Sequence, residues 1–289
     1  MSTLHVHHLN CAHVTTMKLD GLVLACHVMV IETPSSGLVM VDTGLGTADY
    51  ADISSRLGWS FAHLYAKPTV DPSLAAIEQI RALGLDPHDV RHIVQTHLDL
   101  DHVGGLSDFP WAQVHVHATE HQAAMARKGI KARGRYRPGM WAHGPNWQTY
   151  ATEGEPWFGF EAVRALRGLP EEILFVPLPG HTMGHCGVAV DTDQGWLLNA
   201  GDAYFDRREV HQPQRECAFA VGMFQRVVTT DKALRFHNQD RLRAFIASHP
   251  EVNVFAAHEP GAAPLGPIRT TTDTALMEGT TRSASRPAH

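Results

Sequence analysis

Residues 96–105 read Thr96-His-Leu-Asp-Leu-Asp-His-Val-Gly-Gly105. Two imidazoles and two carboxylates, His97, Asp99, Asp101 and His102, fall within six residues at the end of a short predicted strand, Arg91–Thr96. Side chains of this kind are costly to gather unless something neutralises the acids, and a divalent cation does so directly. A polar helix N-terminus is the competing reading, because aspartate is favourable there anyway. In a strand, positions 97, 99 and 101 would share one face. Gly104 and Gly105 favour instead a loop whose backbone bends around an ion.

Working outward, the chain alternates strands, loops and helices. His5–Leu9, Leu22–Ile31 and Leu38–Val41 are apolar and β-branched, with a turn at Pro34-Ser-Ser-Gly37. A helix is predicted over Ser73–Leu83, capped by Asp71, with Pro72 in its first turn and Gly84 after its end. Leu74, Ile77, Ile80 and Leu83 form its buried stripe. A strand at 113–118 and a helix from Thr119 follow. Ile173–Leu178 runs into Pro179-Gly-His-Thr182, and a hairpin, Gly187–Asp191 with Gly195–Ala200, runs into Gly201-Asp202. After a helix over Asp231–Ser248, the strand Val252–Ala257 ends at His258. This rhythm is that of α/β layers, and the two halves share one plan without an exact repeat. His181, Asp202 and His258 each follow a strand, and strand ends gather along one edge where sites form. A single His or Asp there is ordinarily a turn residue. Seven ligating side chains from several strand ends are harder to dismiss.

Composition narrows the function. The 289 residues are 44% hydrophobic and 19% charged, enough for a full core and unlike a disordered or fibrous chain. The net charge of −6 disfavours nucleic-acid binding. No uncharged apolar run reaches the roughly 18 residues of a membrane span. Met1–His8 lacks a signal peptide's basic start, and Cys11, Cys26, Cys186 and Cys217 lie far apart, so reduced thiols in a cytoplasmic protein are expected. The 21 histidines are an excess. Imidazole is the commonest metal ligand, although abundance alone proves nothing.

Residues 127–160 differ from their surroundings. Six basic residues from Arg127 to Arg137 adjoin an aromatic-rich stretch, Tyr136, Trp141, Trp147, Tyr150, Trp157, Phe158 and Phe160. The expectation is a largely irregular, lid-like insertion over an apolar substrate, with a second core layer or a dimer contact as alternatives. The basic run suits a carboxylate or phosphate, or simply a solvated face. Residues 1–260 form one domain in this reading, and 261–289 a partly loose tail.

The segments Val41-Asp-Thr-Gly44, Thr96–Gly105, Gly180-His-Thr182, Gly201-Asp202 and Ala257-His258 resemble, in order and spacing, those of the metallo-β-lactamase superfamily of binuclear hydrolases. The resemblance covers roughly residues 20–260. It implies an α/β fold, an αββα sandwich with metals at one edge. By position it assigns His97, Asp99 and His181 to one ion, Asp101, His102 and His258 to a second, and Asp202 to both. Asp42 would orient a ligand from behind. It further implies a hydroxide shared by two divalent ions, zinc first and manganese or iron next, attacking a polarised carbonyl. Asp101 or Asp202 would take the proton. Tyr204 would donate to the oxyanion, or merely pack.

One position departs from the superfamily's His-x-His-x-Asp-His pattern: Asp99 replaces the second histidine. Two divalent ions are then balanced by three carboxylates and the hydroxide. A weaker pull on anions, a less acidic water and a taste for harder ions are expected. Flavodiiron members carry a glutamate here, so a non-haem iron redox enzyme stays open, although the length leaves no room for a flavin domain. Closed structural zinc sites favour Cys and His and fit less well. The leading reading is hydrolysis of a lactone or related small ester, with a β-lactam or thioester as the alternative. The expected partner is a small molecule, with no nucleic acid and no membrane, and a homodimer is admitted.

Overall fold

Side chains alternate across the strands and sort into three apolar layers. In β2 (Val23–Glu32), Val28 and Val30 enter one core while Met29 and Ile31 enter another. In β3 (Leu38–Val41), Met40 joins the first core, and Val39 and Val41 the second. In β10 (Ile173–Pro177), Ile173 and Phe175 meet Met29 and Val41 in that shared core. Leu174 and Val176 face a third core with Leu242 and Phe245 of α8 (Lys232–Ser248). Strands buried on both faces read as continuous apolar runs. Two sheets therefore lie face to face with helices outside both, the αββα sandwich. The computed structural model describes residues 4–16, 23–58, 66–151, 153–162 and 166–258. The expected tail at 261–289 lies outside them.

The first sheet runs in the order β4-β1-β2-β3-β5-β6-β7, with β4 at Ala66–Pro68, β1 at His5–Thr16, β5 at Val90–Val94, β6 at Gln113–His117 and β7 at Asn146–Tyr150. It is antiparallel as far as β3 and parallel from β3 to β7. The second sheet is β10-β11-β12-β13, where β11 (Cys186–Thr192) and β12 (Gly195–Asn199) form the expected hairpin and β13 (Asn253–Phe255) lies parallel to β12. Parallel pairing brings the ends of β3 and β5 together, and likewise those of β12 and β13. Asp42 N donates to Val94 O, Cys186 N to Thr96 O, and Ala257 N to Gly201 O, which ties the loops of both sheets into one edge.

Two segments depart from expectation. The helix predicted over 73–83 is a 3-10 turn, Pro72–Leu74, then α3 (Ala76–Ala82), because Ala75 is extended between them. Gln79 Nε2 donates to Leu74 O and to Asn10 O, which pins that break to β1. Residues 127–160 are not largely irregular. They form α6 (Gly129–Arg135), a 3-10 turn at Pro138–Trp141, β7, and a small hairpin of β8 (Glu155–Trp157) and β9 (Phe160–Ala162) that runs past the segment's end. The aromatic side chains disperse rather than cover a site. Trp147 packs on the first core, the Tyr150 hydroxyl meets His115 Nδ1 at 2.8 Å, and Trp157 and Phe160 belong to the third core.

Part of the histidine excess is core. His8 Nδ1 meets His27 Nε2 at 2.9 Å, and His92 Nδ1 meets His115 Nε2 at 3.0 Å. Burial, helped by the neighbouring imidazole, pushes His8 down to about 4, His27 to about 3 and His115 to about 3. These rings are neutral in the folded state, whereas the unfolded chain binds protons near 6.5. Their contribution is whole above pH 6.5 and drains away as pH falls toward 4. The thermal midpoint of the metal-free protein should drop across that window, and less steeply in a His27→Gln, His115→Gln variant. A midpoint flat from pH 6.5 to 4 contradicts this.

Candidate metal centre

Asp42 ends β3 in the left-handed region, at φ 59°, which aspartate tolerates better than most residues. The turn folds its carboxylate back toward β5. Oδ1 accepts from Thr96 N at 2.8 Å, and Oδ2 from Thr96 Oγ1 at 2.7 Å and from His102 Nδ1 at 2.8 Å. Thr43 N and Oγ1 both donate to His102 O at 2.8 Å. Here the two glycines find their purpose. A Cβ on Gly104 would lie 1.9 Å from Asp49 Oδ2, and one on Gly105 would lie 2.9 Å from Thr43 O. They let the 42–46 loop lie against α4 (Leu100–Val103), and do not bend a loop around an ion as expected.

The hydrogen bonds fix which imidazole nitrogens face outward. Thr96 Oγ1 donates to Asp42, so it accepts from His97 Nδ1 at 3.0 Å. His102 Nδ1 donates to Asp42, and His258 Nδ1 donates to Ala25 O. The Nε2 atoms of His97, His102 and His258 therefore all face inward. His102 Nε2 and His258 Nε2 stand 3.0 Å apart. Two lone pairs at that distance repel unless a proton or a cation lies between them. Buried His97 Nε2 and Asp202 Oδ1 make no hydrogen bond to the described residues.

Asp202 lies at the centre. Its Oδ1 is 3.4 Å from His102 Nε2 and 3.3 Å from His258 Nε2, and its Oδ2 is 3.7 Å from His97 Nε2 and 3.4 Å from His181 Nε2. Asp99 Oδ2 lies 2.9 Å from His181 Nε2 and 3.5 Å from His97 Nε2, and Asp101 Oδ2 lies 3.3 Å from His258 Nε2. Donors about 2.0–2.2 Å from one ion lie about 3.0–3.5 Å apart, so this spacing fits coordination. All seven expected residues thus converge. Two clusters form around Asp202, one with His97 and His181 and one with His102 and His258. Burial opposes the charge on Asp202, but His258, His102 and His181 hold its carboxyl well below the usual range. Burial likewise opposes protonation of His102, but Asp202 and Asp42 raise it well above the ordinary imidazole value. Burial dominates at His181 and pushes it down to about 4.

Three supporting residues escaped the sequence reading. His185 Nδ1 donates to Leu178 O, leaving Nε2 to accept from Asp202 N, both at 2.9 Å. Only glycine fits beside it. Gly201 has φ +53°, and a Cβ there would lie 2.5 Å from His185 Nε2. Cys26 Sγ lies 3.9 Å from Asp101 Oδ2 and forms a further potential donor group with Asp101 and His258. Arg135 Nε lies 3.4 Å from Asp99 Oδ1. Burial would raise the Asp99 carboxyl, yet Arg135 and His97, with the hydrogen bond from His181, hold it well below the carboxylate range. The basic run is therefore neither a free anion site nor a plain solvated face. Lys131 donates to Thr229 O, and Arg135 to His181 O and Val228 O, which ties α6 to the last carbonyls of α7 (Phe219–Val228).

Tyr204 needs correction. Its ring is buried in the third core with Leu174, Leu242 and Val254. The chain turns Phe205 toward the site instead, stacked on His258 with ring centroids 5.2 Å apart and 6.0 Å from His181. The two side chains leave this turn-rich segment toward different cores. Tyr204 is thus a packing residue and not an oxyanion donor. Val221 and Phe224 of α7 pack behind Phe205 and make that wall apolar.

The sandwich and its histidine–carboxylate cluster define a metal-dependent hydrolase. A family model described as the metallo-beta-lactamase superfamily matches residues 21–240, and the chain belongs to that superfamily. A probable metallo-hydrolase of Mycobacterium tuberculosis is 40% identical over 256 residues, covering 88% of this chain and 80% of its own. An N-acyl homoserine lactonase of Rhizobium johnstonii is 29% identical over 198 residues, 68% of each chain. Among solved structures, an N-acyl homoserine lactone hydrolase with N-hexanoyl-L-homoserine bound superposes with a TM-score of 0.68 at 19% identity, covering 90% of this chain and 94% of its own. Among the described residues no helix is long and apolar enough to cross a membrane.

Asp42→Asn keeps the left-handed turn but sets an amide donor against Thr96 or His102. It should cost about 1–3 kcal/mol of stability and about 10- to 100-fold in metal affinity. Denaturant titration and chelator competition measure the two, and unchanged affinity would remove Asp42 from the site's support.

Proposed function

We propose that the chain hydrolyses a small lactone with an apolar substituent, using two divalent ions. The observation that carries this is the set of inward-facing Nε2 atoms of His97, His102 and His258 around Asp202. In this reading His97, Asp99 and His181 hold one ion, Asp101, His102 and His258 the other, and Asp202 holds both. When bound, such a pair acidifies water and polarises a carbonyl. Zinc suits the imidazole-rich set, and the carboxylates admit manganese or iron. The names of the lactonase relatives support the substrate class, and β-lactams and thioesters remain arms of the test.

The chain's own residues then have separable tasks. Asp42, Thr96 and the Ala25 carbonyl keep three imidazoles in the tautomer that binds cations. Asp202 is buried, enclosed by imidazoles and held anionic, so it stays a ligand. Asp101 keeps 21% of its side chain exposed and has only Cys26 and His258 as close partners among the described residues. It is the group placed to take the proton from the attacking water and hand it to the leaving oxygen or to solvent. Phe205, with Val221 and Phe224 behind it, excludes water and receives the apolar substituent. The four free cysteines support a reducing, cytoplasmic setting.

Elemental analysis should find two ions per chain. In a panel of lactones, β-lactams and thioesters the lactones should give the highest kcat/KM. Asp202→Ala should remove turnover and metal while the chain stays folded; full turnover in that variant ends the reading. Phe205→Ala should raise KM for a long-chain lactone about tenfold, as loss of a buried ring implies, with kcat little changed. Equal effects on short- and long-chain lactones would take the substituent away from Phe205.

A further inference from the structure

Asp99 stands where the superfamily pattern has a neutral histidine, and the structure places a cation directly behind it. Arg135 reaches the site from α6, an element that carries none of the seven clustered donors. Its side chain is 9% exposed, and its Nε faces Asp99 Oδ1 at 3.4 Å. The other two guanidinium nitrogens donate to His181 O and Val228 O. Two nitrogens are thus held by carbonyls, and the third stands within ion-pair distance of Asp99, whose Oδ1 accepts no hydrogen bond from the described residues. Asp99 in turn caps no helix. It occupies the N-cap position of α4, but its carboxylate turns away from the backbone amides, toward His181 and Arg135.

The charge consequence reverses the expectation drawn from the motif. Two divalent ions against Asp99, Asp101 and Asp202 leave one positive charge. Arg135 raises this to two, which is what a histidine at position 99 would leave with no arginine behind it. We propose that Asp99 and Arg135 act as one unit in place of that histidine. Arg135 is the positioning residue and counter-charge that turns Asp99 Oδ2 toward the ion shared with His97 and His181. This rests on the two-ion reading above. Each partner is harmful without the other. Asp99→His would leave a buried guanidinium facing dications, and Arg135→Gln would leave a surplus carboxylate without its counter-charge.

The test is a double-variant cycle with wild type, Asp99→His, Arg135→Gln and the double variant. Metal content and zinc affinity are read by chelator competition. Asp99→His alone should weaken the weaker-bound ion about 10- to 100-fold, the range seen when a ligand loses its support. Content should fall from two toward one. In the Arg135→Gln background the same change should cost no more than about threefold. Equal losses in both backgrounds overturn the proposal. A wild type that binds fewer than two ions instead defeats the two-ion reading. The pairing is then judged on metal-free protein, which also serves if the histidine variant does not fold. Asp99→Asn should lower the unfolding midpoint when Arg135 is present and not when it is Gln. The same drop in both overturns the pairing.

Discussion

His102 and His258 bring their Nε2 atoms to 3.0 Å with both Nδ1 hydrogens already committed, one to Asp42 and one to the carbonyl of Ala25. The rest of the edge exists to hold that unfavourable arrangement. His102 comes from α4 and is locked through Asp42, at the end of β3. His258 follows β13 and is locked by the backbone of β2. A proton shared between the two rings, or a cation between them, turns that geometry into attraction. The fold thus gathers cation-seeking groups at its edge, as metal sites do when folding and metal binding are linked.

The core and the ligand set were legible in the sequence for the same reason. Both depend on local pattern: continuous apolar runs in β2, β3 and β10, and polar residues placed just after strands. Asp42, His97, Asp99, Asp101, His102, His181, Asp202 and His258 converge because each sits at a strand end or in the short helix that follows, and parallel pairing brings those ends together. What the sequence concealed depends on which way a side chain turns or on contacts between distant segments. Tyr204 and Phe205 are adjacent, and only the twist of the segment decides which one meets His258. His185 looks like one more histidine until Gly201 allows the Asp202 amide to reach it. The aromatic run at 136–160 read as a lid because composition cannot show that Tyr150 lies in a parallel edge strand while Trp157 and Phe160 fill another core.

Histidine count misled in an instructive way. The pairs His8–His27 and His92–His115 are buried and neutral, each ring bonded to the other. Abundance alone does not separate these from the ligand histidines. The separating feature is what holds the second nitrogen. In the core pairs one imidazole is bonded to the next. At the metal centre the outer nitrogens of His97, His102 and His258 end on a hydroxyl, a carboxylate and a carbonyl, so the inner nitrogens face Asp202 together.

The same logic governs charge. Read along the motif, Asp99 removes positive potential from the site. Read in space, it belongs to a pair whose other half arrives from α6, some 36 residues later in the chain. A motif position can change charge without changing the field at the site if a buried partner changes with it. The cost of an unpaired buried guanidinium makes such a partner hard to lose separately. The ties from Lys131 and Arg135 to the last carbonyls of α7 add a second constraint. They join the helix that carries the counter-charge to the helix that backs Phe205. Under the pairing proposed above, a change at position 99 is felt first at Arg135 and then, through its bond to Val228 O, at the helix that backs Phe205.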